Sequence, residues 1–276
     1  MLLKNAKSVS LALGLATAVA SFAGGPKTAK YNPSPAQWIE IPVPPKAIAA
    51  DRAVWSHAAG RSKHEWKVGR AEHLVRARLI DGRRRAPISI SVEGGTLIGV
   101  NRGEWGGTLL FRARGSNRES VVSKDQVVAF IQLPNALYAV EGLARHGQSR
   151  GSIIRIGKTG GGEGWATKKI AKLPAAPYAA TIRSDGSLII TLSDGVVAYD
   201  GRRGVRRIVS EAPWSGLSPN SSALAVDDRH LYVGMRQYVA EVDLPTKRVR
   251  MLVPSRAFLN RLSPSEERSV RARFVY

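Results

Sequence analysis

Cysteine is absent from all 276 residues. That excludes a disulfide framework, a thiolate metal site, a cysteine nucleophile and a lipid-anchored N-terminal cysteine. Acidic residues are scarce. Asp and Glu number 21 against 42 Lys and Arg, a formal net charge of +21. Charge of that size bears on solubility and anionic partners, not on fold. The histidines, His57, His64, His73, His146 and His230, show no metal-ligand spacing such as His-x-x-x-His. No run beyond residue 20 approaches the roughly 18 apolar residues of a membrane span. Yet apolar residues make up 43% of the chain, enough for a packed core, which excludes wholesale disorder. The length suits two domains or one large all-β domain.

The first segment reads as an address. Lys4 and Lys7 precede an uncharged stretch from Ser8 to Ala20, and Ala18-Val19-Ala20 fits a small-x-small cleavage site. This is the pattern of a secretory signal peptide over residues 1–20. Export to the periplasm or beyond is therefore expected. Residues 21–37, punctuated by Gly24, Gly25, Pro26, Pro33 and Pro35, read as a linker. Residues 38–276 are expected to form the folded domain.

A repeat runs through that domain. Apolar runs begin at Thr96, Ala136, Ser187 and His230, with aligned leucines Leu97, Leu137, Leu188 and Leu231 spaced 40, 51 and 43 apart. Turn residues precede each: Gly94-Gly95, Pro134-Asn135, Asp185-Gly186 and Asp227-Asp228. Another apolar run comes before each turn, and a third and a more charged fourth run follow, rich in β-branched residues as strands are. Four short strands every 40 to 50 residues predict an all-β fold, a β-propeller of four-stranded antiparallel blades. An isolated blade has two apolar faces, and stacking blades buries one on another. Five blades are expected, with six as the alternative. The fifth takes strands from Ala53 to His57, Trp66 to Val68 and Leu74 to Ile80, and Arg271 to Tyr276 also reads as a strand.

These units resemble the blades of NHL-type and kelch-like propellers, over residues 87–256 and at repeat level only. The Trp-Asp dipeptide of the commonest propellers is missing. Propeller topology puts the loops between second and third strands on one face with the loops joining blades. On that face the sequence offers Arg102, Glu104, Trp105, Arg145, His146, Trp214, Arg236 and Gln237. Aromatic rings beside arginines can stack on and hydrogen-bond a planar or sugar-like anionic ligand. Alternatively, the two tryptophans wedge between blades.

Pro219-Asn220-Ser221, with Leu231-Tyr232-Val233-Gly234 after it, is similar to a unit of the gluconolactonase-like propellers. That resemblance implies a divalent cation, calcium by its oxygen ligands, polarising a lactone carbonyl. Asn220 matches the motif. Asn101, Glu141 and Asp194 join it by topology alone, and the family's first metal-binding Glu has no recognisable counterpart near the mature N-terminus. Two further motifs fail on context. Gly157-Lys158-Thr159 lacks the first glycine of a phosphate loop, with Ser152 in its place. Gly147-Gln148-Ser149-Arg150-Gly151 has the spacing of a hydrolase elbow but no helix after it.

Basic residues cluster. Residues 61–85 hold nine against three acids, and 202–207 read Arg-Arg-Gly-Val-Arg-Arg. Such patches attract polyanions, and no motif for specific nucleic-acid recognition accompanies them. The sequence thus points to an exported propeller that binds a protein, a glycan or another anionic envelope component. A calcium-dependent lactonase or esterase is the alternative.

Overall fold

The computed structural model of the chain describes residues 34–44, 46–60, 64–71, 73–81, 87–145, 148–160, 164–214 and 217–254. The expected signal peptide, residues 21–33 of the expected linker, His146 and the expected C-terminal strand 271–276 lie outside the described residues.

In chain order the elements begin with strand β1 (Ile39–Ile41), helix α1 (Ala49–Gly60) and the hairpin β2 (His64–Ala71) and β3 (Leu74–Asp81). The first four-stranded sheet is β4 (Ile88–Val92), β5 (Gly95–Asn101), β6 (Gly107–Ala113) and β7 (Glu119–Ser123). The second is β8 (Gln126–Leu133), β9 (Ala136–Arg145), β10 (Gln148–Lys158) and β11 (Trp165–Leu173). The third is β12 (Pro177–Ile182), β13 (Leu188–Leu192), β14 (Gly195–Asp200) and β15 (Gly204–Ser210). The fourth is β16 (Ser221–Leu224), β17 (His230–Gly234), β18 (Val239–Asp243) and β19 (Val249–Val253). Each is an antiparallel meander, and β1 adds a fifth strand outside β19. The first strands β4, β8, β12, β16 and then β2 lie against one another in that order. Antiparallel meanders stacked through their first strands make this a β-propeller.

Local chemistry sets the turns. Asp185 Oδ1 accepts the Ser187 backbone N–H at 2.8 Å, and Asp227 Oδ1 accepts that of Arg229 at 2.8 Å. These Asx-type bonds close the link between first and second strands in the third and fourth blades.

Strand periodicity then builds the core. Successive side chains point to opposite faces, so each sheet feeds two clusters. In the third blade Leu188, Ile190 and Val197 pack toward the second, while Ile189, Val196 and Ala198 pack toward the fourth. In the fourth, Leu231, Val233 and Val242 face the third blade, and Tyr232, Val239 and Leu252 face the hairpin. There Trp66 and Trp38 meet edge-on, ring centroids 4.7 Å apart. Glu40 of β1 pairs with Arg248 at 3.0 Å, tying the added strand to its sheet.

Two expectations need correction. The run Ala53 to His57 is helix, not strand. Alanine-rich residues 49–60 favour helix, and Trp55 stacks on Tyr238 with centroids 5.5 Å apart. The fifth unit is therefore a two-stranded hairpin among the described residues. Arg145, expected in a loop between second and third strands, instead ends β9, because β9 and β10 pair as far as Arg145 with Gln148.

Leu231 is completely buried between blades. Leu231→Ala should lower unfolding free energy by about 2–5 kcal/mol in urea titrations. An unchanged midpoint would mean that this interface carries no stability.

Candidate functional site

Trp105 lies in the loop that joins β5 to β6. Asn101 ends β5, and its Oδ1 accepts the Gly103 N–H at 2.8 Å. Arg102 N donates to Gly106 O at 2.8 Å, and Gly106 N donates to Gly103 O at 3.1 Å. Gly103 and Gly106 take φ of +64° and +81°, which suit glycine. The result is a single 3-10 turn over Gly103–Trp105. It holds the Trp105 ring 74% exposed. Arg102 is exposed on the same turn. The side chains of Glu104 and Arg145 lie outside the described residues.

Trp214 is elsewhere. It is fully buried between the third and fourth blades, with Nε1 donating to Leu192 O at 3.0 Å. The wedge expected as the alternative is therefore its position. The apolar ring finds its burial there, and its one polar atom a partner.

Asn220, Arg236 and Gln237 come together at the joint between the fourth blade and the hairpin. Trp66 N donates to Met235 O at 2.9 Å, and its Nε1 donates to Gln237 O at 3.1 Å. Glu65, which sequence reasoning missed, stands at the centre, 2% exposed. Asn220 Nδ2 donates to Glu65 Oε2 at 3.0 Å, and Arg236 Nε lies 3.5 Å from Oε1. Arg236 Nη1 also donates to Gly60 O at 2.6 Å, closing the C-terminal end of α1. Ser221 Oγ donates to Asn220 Oδ1 at 2.7 Å and accepts the Val68 N–H at 2.9 Å. Glu65 is the second residue of β2 and out of phase with Trp66 and Val68, which enter the core, so alternation along the strand carries no signal of its burial.

The cation implied by the gluconolactonase resemblance can be tested on these groups. Asn101 Oδ1 and Asn220 Oδ1 already accept hydrogen bonds. Glu141, 5% exposed, accepts from Ser123 Oγ at 2.5 Å and Ser152 Oγ at 3.2 Å. Asp194 Oδ2 pairs with Arg207 Nη1 at 3.1 Å. The Arg236 guanidinium supplies positive charge at Glu65, so the carboxylate beside Asn220 is neutralised without a metal. Among the described residues no group of three or more His, Asp or Glu is placed to hold one. Each of the four thus has a side-chain oxygen engaged by a protein donor.

Burial pushes the Glu141 carboxyl above the usual glutamate range, against the opposing pull of its two serine hydrogen bonds. Ser149 lies on β10, not on an elbow, with Oγ accepting the Ala176 N–H at 2.8 Å.

No protein-family model matches the chain, and no curated protein does. Among solved structures it is similar to PorZ, a surface component of the type-IX secretion system of Porphyromonas gingivalis. The identity is 13%, over 61% of this chain and 27% of that one, with TM-score 0.41. It is also similar to virginiamycin B lyase from Staphylococcus aureus, at 13% identity over 70% of this chain and 71% of that one, with TM-score 0.36. The extracellular domain of BT4673 from B. thetaiotaomicron matches at 12% identity over 59% of this chain and 27% of that one, with TM-score 0.31. The chain thus spans 27% of the length of PorZ and of the BT4673 domain. Among the described residues no helix is long and apolar enough to cross a membrane.

Glu141 yields a pH test. Its raised value means that the folded state binds the proton more tightly than the unfolded chain. That contribution is complete below the ordinary glutamate value of about 4.3 and is lost as pH rises through the raised value. The stability of the wild type relative to Glu141→Gln should therefore fall as pH rises above the ordinary glutamate value in urea titrations. A flat difference would mean that the carboxyl is not perturbed. Calcium and chelator should both leave the melting temperature unchanged. A calcium-dependent rise would restore a cation site.

Proposed function

We propose that the protein is an exported propeller that binds an envelope glycan through its loop-rich face, with Trp105 and Arg102 as contact residues. The observation that supports this is the Trp105 ring, 74% exposed on a turn fixed by backbone and Asn101 hydrogen bonds. An indole is a large apolar surface, and folding here leaves it in water. Held on an ordered turn, it loses little freedom on meeting a partner, and preorganised contacts bind more tightly for that reason. Its face stacks on a sugar ring, while the Arg102 guanidinium offers a planar set of donors to an acidic substituent. Export rests on the signal-peptide pattern at residues 1–20.

Fluorescence titration with soluble peptidoglycan fragments and lipopolysaccharide core oligosaccharides tests this. At least one should bind the wild type, and Trp105→Ala should weaken that binding about tenfold or more, as truncated aromatic anchors do. Its melting temperature should stay close to that of the wild type, because exposed substitutions change stability little. Undiminished binding by the variant would overturn the reading.

A further inference from the structure

The register of the second blade contains an unfavourable pairing. Arg155 on β10 lies directly opposite Lys168 on β11. Like charges facing each other across an antiparallel ladder repel and destabilise the sheet. Both side chains are exposed, and no ion pair engages either among the described residues. Tyr138 on β9 is the next residue in the same row. Paired residues share a face, and Tyr138 packs at the edge of the core between the second and third blades. The two cations therefore emerge on the side that looks toward the third blade.

From the third blade, Tyr199 reaches the same cleft. It too packs at the edge of that core, half-buried, and its phenol is raised by burial and by the neighbouring Tyr138. The turn that follows it, residues 201–203, exposes Arg202 and Arg203. Asp200 is the acid at this end of the turn; it accepts the Arg202 backbone N–H at 2.7 Å and pairs with Arg203 at 3.8 Å. The outer strands β11 and β15 lie against each other along the rim.

We infer that this outer cleft between the second and third blades binds an acidic glycan, with sulfate or carboxylate groups bridging Arg155 and Lys168 and sugar rings resting on Tyr138 and Tyr199. A bridging anion turns the repulsion across the ladder into two attractive contacts. Half-buried phenols offer flat apolar faces with polar rims, which suits sugar rings. The inference goes beyond the loop-face reading and uses none of its residues.

The test uses a size-defined heparin octasaccharide and an oligogalacturonate, titrated calorimetrically at 50 and 200 mM NaCl. Wild type should bind at least one of them, more weakly at the higher salt. Arg155→Gln with Lys168→Gln should lose tenfold or more in affinity. A charge-matched control, Arg114→Gln with Arg118→Gln on exposed positions of the first blade, should bind as wild type does. Without ligand, Lys168→Gln should melt higher than wild type, because it relieves the like-charge pair. With ligand the order should reverse. Equal losses in the two double variants would overturn the site in favour of bulk charge. A lower melting temperature for unliganded Lys168→Gln would overturn the strained pair. Tighter binding of single-stranded DNA of matched length through the same two residues would overturn the glycan class.

Discussion

The structure depends on how closely the first strand of each unit approaches the unit before it. At Gly142 and Gly151 a Cβ would come within 2.5 Å of the Pro177 ring, where the third blade begins. At Gly234 it would come within 2.2 Å of the Trp66 carbonyl, where the hairpin begins. At Gly99 it would meet Val127 at 2.9 Å. Contacts below about 3 Å are steric clashes, so glycine at these places is what lets neighbouring sheets seat. Once they seat, the alternation of side chains feeds every sheet into two shared cores, and no sheet can be buried alone.

That seating explains which loop residues remain free to act. Residues near a blade junction are drawn into it. Trp214 becomes packing, Gln237 is nearly buried, and Arg236 joins Glu65, Asn220 and the end of α1 in one hydrogen-bonded joint. Trp105 stays exposed although its turn, closed by its own backbone hydrogen bonds, lies against β9 of the second blade.

Charge follows the same division. Buried acids are matched: Glu65 by Asn220 and Arg236, Glu141 by two serines, and Glu241 by Tyr232 at 2.8 Å and Arg250 Nε at 2.9 Å. Unpaired carboxylates would be costly there, because burial removes water before any partner is gained. On the rim, water solvates the excess cations cheaply. Arg155 and Lys168 persist there in a pairing that folding alone does not favour.

The sequence by itself determined the strand pattern. From Ile88 to Val253 the expected runs fall within or overlap the observed strands, because each blade is a local meander whose signals lie within about ten residues of one another. Beyond that window the sequence was a weaker guide. Residues 53–57 satisfy a strand by composition, yet neighbouring alanines and the Tyr238 surface make them helix. The candidate site was less legible still. A tryptophan in a loop reads the same whether it faces water, like Trp105, or a blade core, like Trp214. Glu65 and Asn220 are 155 residues apart, and only the packing of the hairpin on the fourth blade makes them neighbours. Local periodicity is written along the chain, whereas exposure and partnership at the joints depend on how separate sheets pack in space.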